Sequence, residues 1–152
     1  MNVTADNAAS LSVSDGTITV TAKQGWYEDN GTFSTSCYWS GANVSIPLSA
    51  DQKALVDAGA TITVTVAASG TSGNRDSLCA FKYKTTDGVS TSWFEGNSTN
   101  TLTATTEAGT LPTYITEAGD VYWLHIFVAG NNGVYAANGP TFTISDLTIV
   151  AA

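Results

Sequence analysis

Few side chains in this sequence are suited to bond-breaking chemistry. His125 is the single histidine among 152 residues, and it lies between Leu124 and Ile126 with no Ser or Cys motif beside it. No G-x-S-x-G elbow, P-loop or H-E-x-x-H pattern occurs. A lone His in an apolar run reads as structural rather than catalytic. Glycoside hydrolysis asks only for two carboxylates at a suitable separation. Glu28 follows Trp26 and Tyr27, and Glu95 follows Trp93 and Phe94, so this pair is the one placed to flank a sugar. The plainer reading makes both ordinary loop carboxylates. Cys37 and Cys79 are too few for a closed zinc site. Expected inside strands, they form either one disulfide or two buried thiols.

The aromatic residues carry more information. Four Trp and six Tyr exceed the needs of a small core. Trp26 and Tyr27 follow Lys23-Gln24-Gly25 and precede Glu28-Asp29-Asn30-Gly31, a polar setting in which no period assigns them to a core. Exposed Trp and Tyr serve recognition, because their apolar faces shed water at little entropic cost. A sugar ring offers a flat C–H face to such a plane, and its hydroxyls pair with Asn, Asp, Gln or Lys at the edge. Trp93 and Phe94 are adjacent, so in a strand they point opposite ways. Phe94 is the natural core residue, which turns Trp93 outward. Trp39 shares parity with Phe33 and Cys37 and is expected in the core, with Tyr38 outside.

The run 121–129, VYWLHIFVA, is apolar on both faces. Tyr122, Leu124, Ile126 and Val128 suit the core. Trp123, His125 and Phe127 share the other face, which either lies under a short helix and loops or joins a ligand platform. Lys82 and Lys84 share a face opposite Phe81 and Tyr83, placed to hydrogen-bond a ligand or to keep that face wet. Asp146 lies between Ile144 and Leu147, whose opposite parity predicts a bulge near Ser145 and Asp146. With Asp6 and Asp15 it makes a candidate structural calcium site built on hard oxygen ligands, against the plainer reading of a turn carboxylate. No other cofactor is required.

These residues must be held by strands. The dominant period is two: TITVTA at 17–22, TITVTV at 61–66, TLTATT at 101–106 and TFTISDLTI at 141–149. β-Branched apolar residues alternating with Thr mark strands with one dry and one wet face, as in antiparallel sheets. Further strands are predicted at 33–39, 43–48, 78–85, 90–95 and 121–129, separated by turn signals such as Asp15-Gly16, Asn30-Gly31 and Asp87-Gly88. Residues 49–59 begin with a capping Ser and end with Gly, predicting one short helix near 50–58. Eight or nine short strands in a chain of this length suggest one all-β domain spanning 1–152, a two-sheet antiparallel β-sandwich of jelly-roll type.

Composition narrows the partners. Five basic and thirteen acidic residues give a net charge of −8, which disfavours nucleic acid and anionic membrane surfaces. No apolar run approaches the ~20 residues of a spanning helix. The 24 Thr and 15 Ser make the polar surface largely hydroxyl. The N-terminus lacks the pattern of a signal peptide, and Met1 reads as a start placed on an excised domain.

The Thr-rich alternating strands, sparse charge, surplus Trp and Tyr and closing strand PTFTISDLTIVAA resemble a non-catalytic carbohydrate-binding module of β-sandwich (jelly-roll) type, from a bacterial plant-cell-wall-degrading enzyme or cellulosome. The resemblance implies binding of a β-glucan polysaccharide, cellulose-type or xyloglucan-type, in a cleft or on a concave sheet face. It implies Trp26, Tyr27, Trp93 and Trp123 as stacking platforms. Asp29, Asn30, Lys82, Glu95 and Asn97 would be their polar partners. It further implies secretion and a tethered catalytic domain in a larger protein. Two other readings stand beside it: a small β-sandwich glycoside hydrolase or lyase, and a structural or adhesive surface domain.

Overall fold

The computed structural model describes residues 1–28, 30–71, 77–84, 87–131 and 138–152. Thirteen strands and one helix appear among them. In chain order they are β1 (Thr4–Asp6), β2 (Ala8–Ser14), β3 (Thr17–Lys23), β4 (Trp26–Tyr27), β5 (Phe33–Ser34), β6 (Trp39–Pro47), α1 (Ala50–Ala58), β7 (Ala60–Ser69), β8 (Ser77–Phe81), β9 (Val89–Phe94), β10 (Thr99–Thr105), β11 (Ile115–Ala118), β12 (Val121–Asn131) and β13 (Asn138–Ala151).

Two antiparallel sheets face each other. One is six-stranded, ordered β1-β6-β12-β8-β9 with β11 also paired to β12; the other is five-stranded, ordered β10-β7-β13-β3-β2. The steps β1 to β2, β6 to β7, β7 to β8, β9 to β10, β10 to β11 and β12 to β13 each change sheet. Such alternation is that of a jelly roll, and it matches the all-β sandwich expected from the sequence.

The period of two sets the faces. In β7, Ile62, Val64 and Val66 are buried while Thr61, Thr63 and Thr65 point outward. Tyr122, Leu124, Ile126 and Val128 of β12 enter the same core, together with Phe81, Phe94, Phe142 and Ile144. Each large apolar side chain so buried contributes about 1.5–3 kcal/mol. The bulge near Asp146 is present: the pairing of β13 with β7 shifts between Ser145 and Thr148, and Asp146 takes φ 54°.

Helix α1 starts with a capping box. The Ser49 hydroxyl accepts from the Gln52 N–H, and the Gln52 side chain accepts from the Ser49 N–H. Gly59, at φ 97°, ends it in a conformation that side-chain-bearing residues avoid. Val56 anchors the helix in the core, and Asp57 accepts the Tyr122 hydroxyl. The helix therefore closes one end of the sandwich on the core-facing side of β12 and leaves the Trp123 face uncovered.

Several expectations need correction. The strand expected at 33–39 is broken: β5 holds Phe33 and Ser34, and bends follow up to Trp39. Cys37 sits in those bends, where its Sγ contacts the Trp39 carbonyl at 3.4 Å, and Cys79 sits in β8; both are free thiols, so the disulfide alternative falls. Burial pushes the Cys79 thiol up to about 12. Strands β1, β2, β4 and β11 were not expected. Three are only two to four residues long, and β2 is rich in Ala and Ser, which carry weak strand preference.

Candidate functional site: an aromatic face on the six-stranded sheet

The outward face of the six-stranded sheet lacks the Thr pattern of the other sheet. Register aligns its residues in rows. Trp93 lies opposite Leu78, Leu78 opposite Ala129, and Ala129 opposite Gly41. The next row runs Ala80, Phe127, Asn43, Asp6. Beyond it come His125, Ser45 and Thr4, then Thr116, Trp123 and Pro47. Trp39 opens β6 on the same face, opposite Asn131.

At one end Leu78, Phe127 and Ala129 form a small second apolar cluster with Trp26 and Trp39 packed on it. The Trp26 and Trp39 rings stack at 5.1 Å and 13°. Trp26 also tilts against Phe127 at 6.3 Å. Trp93 meets Trp39 edge-on at 5.6 Å and keeps 54% of its surface exposed. Gly41 makes room for the floor: a Cβ there would sit 2.9 Å from the tip of the Phe127 ring. The Trp26 indole N–H donates to Glu28 at 3.0 Å, and the short β4–β5 pairing holds this corner above the sheet.

A cavity of about 270 Å³ opens between these rings. Trp26, Tyr27, Trp93 and Phe127 supply its aromatic wall, and Glu28, Lys82, Asp87 and Thr91 its polar rim. Lys82 is buried, with its ammonium 5.4 Å from the Phe127 ring centre.

A second cavity, of about 410 Å³, lies further along the same face. Trp123, Tyr83, His125, Lys84, Asp6 and Asn43 are among its walls. Lys84 stands between the two cavities: its ammonium is 5.8 Å from the Tyr27 ring and 5.5 Å from Tyr83. It also pairs with Asp6 at 2.8 Å, and that hydrogen bond raises the lysine pKa above its ordinary value. Trp123 and Phe127 are four residues apart on β12, roughly 13 Å at ordinary strand rise.

The buried Asn43 side chain shapes the link that follows β8. Its amide donates to the Lys82 carbonyl at 3.0 Å, and its oxygen accepts the Lys84 N–H at 3.2 Å. Strand pairing ends at Phe81 and Lys84 takes φ 46°, so the expected alternation stops there. Tyr83 accordingly stacks on His125 at 3.9 Å, on the same face as Lys82, rather than opposite it.

His125 is a satisfied structural histidine. Nδ1 shares a 2.8 Å hydrogen bond with the Ser45 hydroxyl, and Nε2 shares one of 2.8 Å with the Thr116 hydroxyl. Burial, helped by the nearby Lys84 charge, lowers its pKa to about 4 and keeps the ring neutral.

Of the residues singled out from sequence, Trp26, Tyr27, Trp93 and Lys82 line the first cavity and Trp123 the second. Three others line neither cavity. Asn30 accepts the Thr32 N–H within the β4–β5 turn. Glu95 is exposed just after β9 and lines neither cavity, whereas Glu28 lines the first. Asn97, at φ 64°, ties the turn after β9 to the end of β7 by accepting the Gly70 N–H at 2.7 Å. Asp29 lies outside the described residues. Trp39 was expected in the core. It belongs to the aromatic face because the bends at 35–38 break the parity that tied it to Phe33. Phe127 and Asn43 were not singled out as site residues. Phe127 could have been found from its parity with Trp123, whereas nothing in sequence marks Asn43.

The calcium candidates do not converge. Asp6 is engaged by Lys84 on the aromatic face, while Asp15 and Asp146 border a separate cavity that Asp6 does not line. Among the described residues no three His, Cys, Asp or Glu side chains gather in a metal-binding group.

No protein-family model matches the chain, and no curated protein matches it. Among solved structures it is similar to a CBM4 carbohydrate-binding module, with 17% identity over 99% of this chain and 94% of that one, at a TM-score of 0.47. It is similar to the N-terminal cellulose-binding domain of Cellulomonas fimi β-1,4-glucanase C, with 17% identity over 99% and 88% of the two chains and a TM-score of 0.42. A functionally unknown protein from Saccharomyces cerevisiae gives 11% identity over 99% and 96%, with a TM-score of 0.46. The sandwich architecture of this chain stands on its own strand pairing.

Proposed function

We propose that the aromatic face binds a neutral plant cell-wall polysaccharide, a β-1,4-glucan or a related hemicellulose such as xyloglucan, without chemistry of its own. One observation supports this above the rest. All four tryptophans of the chain gather on one solvent-facing sheet surface, and none is in the inter-sheet core. A buried core is the cheapest place for large apolar rings, so a wet face that collects them has a partner to desolvate. Two cations, Lys82 and Lys84, and three carboxylates, Glu28, Asp6 and Asp87, border the two cavities, a balance that suits an uncharged chain with many hydroxyls.

The mechanism follows from that surface. Trp93 and Trp123 offer ring planes to the C–H faces of sugar residues. Trp26 packs against Trp39 and Phe127 and acts as a wall that fixes the first cavity. Lys82, Glu28, Asp87 and Thr91 meet hydroxyls at the rim. Affinity is expected at roughly 10–100 μM, because a few stacked rings must offset the ordering of a flexible chain. The domain is secreted and tethered to a catalytic domain, alone or within a cellulosome, whose effective concentration on the polysaccharide it raises.

Native affinity electrophoresis in gels containing xyloglucan, barley β-glucan, hydroxyethylcellulose, glucomannan or xylan tests this, with a reducing-sugar assay on the same panel. Retardation by a β-glucan with no sugar released is expected. Release of sugar, dependent on Glu28 or Asp87 at the first cavity, would replace the binding reading with a hydrolase.

A further inference from the structure

The sandwich is not closed along one side. In the six-stranded sheet β1 pairs with β6 only from Thr4↔Ser45 to Asp6↔Asn43, so Ile46 and Pro47 have no β1 partner. In the other sheet the facing edge is β2, which has β3 on one side and, among the described residues, no strand on the other. Between them lies an open apolar slot of about 390 Å³, bordered by Val3, Val13, Ile46 and Leu147. A second cavity of about 350 Å³ continues it, sharing Val3, Val13 and Ile46. Val13 pairs with the core residue Ile18, yet 52% of its surface is exposed.

Two further features bear on this edge. Strand β2 reads AASLSVS over seven residues, with no charge and no proline. Natural edge strands are commonly blunted by those devices, because unpaired backbone groups recruit other strands. The slot is also rimmed by Asp15 and Asp146, both in left-handed conformations, at φ 50° and 54°. A second copy of this chain would bring a like net charge of −8 to this edge, which disfavours it as the occupant.

We propose that this edge takes up an extended segment of a different chain. The segment pairs with β2 through its backbone and sets alternate apolar side chains into the slot. A Lys or Arg on it meets the Asp15 and Asp146 rim. Backbone pairing supplies affinity and the slot supplies side-chain selection, as in other strand-addition interfaces.

The test uses a fluorescently labelled synthetic peptide of alternating Val and Thr with one Arg at its end, followed by anisotropy. The peptide is expected to bind saturably. Val13→Lys changes an exposed side chain and should weaken binding at least about tenfold. So should methylating alternate backbone nitrogens of the peptide, or replacing its Arg by Glu. Asp15→Asn and Asp146→Asn keep backbones that Asn tolerates, and together they should weaken the Arg peptide several-fold with the thermal midpoint held. No saturable binding overturns the proposal, as does binding insensitive to Val13→Lys or to N-methylation. Sedimentation of the chain alone gives the last outcome: a dimer dissociated by Val13→Lys would assign the edge to a second copy and overturn it too.

Discussion

Trp93→Ala separates recognition from stability. Trp93 is 54% exposed and meets the cluster through an edge contact with Trp39 and its cross-strand neighbour Leu78. A fully buried Trp covers up to about 250 Å², so the exposed part amounts to roughly 135 Å², about half of it on the free ring face. Covering that half with a sugar at about 25 cal/mol per Å² is worth around 1.7 kcal/mol. The expected loss is therefore a 10- to 20-fold rise in Kd, roughly. The thermal midpoint should move little, because surface truncations away from special contacts stay within about 0.5 kcal/mol. Calorimetric titration with the polysaccharide that retards the native chain, paired with a thermal melt, reads both quantities. An unchanged Kd with an unchanged midpoint would refute the assignment of Trp93 as a platform.

Trp26→Ala should behave differently. Its ring stacks on Trp39 and tilts against Phe127, so truncation should destabilise by about 2–4 kcal/mol and also weaken binding, read by urea titration beside the affinity gel. Asn43→Ala removes the clamp on Lys82 and Lys84. It should cost about 1–3 kcal/mol by leaving backbone groups unpaired, and should lower affinity through Lys82. Folding holds His125 at about 4 against an ordinary 6.5. The unfolded chain then binds the extra proton between those values, and this contribution to stability is complete above about pH 6.5 and lost as pH falls toward 4. His125→Gln should flatten that part of the urea-midpoint profile, measured from pH 7 to pH 4.5. Maleimide at pH 8 should label Cys37 readily and Cys79 slowly without denaturant, since burial suppresses the Cys79 thiolate.

Strand parity made much of this face legible before any coordinates. The assignment of Leu124 and Ile126 to the core turned Trp123 and His125 outward. Adjacency alone split Trp93 from Phe94. Parity failed wherever the chain left regular pairing. The bends at 35–38 moved Trp39 out of the core, and the turn at Lys84 brought Tyr83 beside His125. Polar partners were the least legible. Asn30 and Asn97 lie near aromatics in sequence, yet Asn30 is spent on its own turn and Asn97 on the Gly70 N–H at the end of β7. Asn43, 39 residues from the lysine it positions, carries no local signal at all.

Because all four tryptophans lie on the proposed binding face, their indole N–H resonances report on it directly. Titrating ¹⁵N-labelled protein with a cello-oligosaccharide or a xyloglucan oligosaccharide should shift Trp93 and Trp123 most, with saturation and with the oligosaccharide recovered intact. Four unmoved indole signals across the whole glucan and hemicellulose panel would contradict the account.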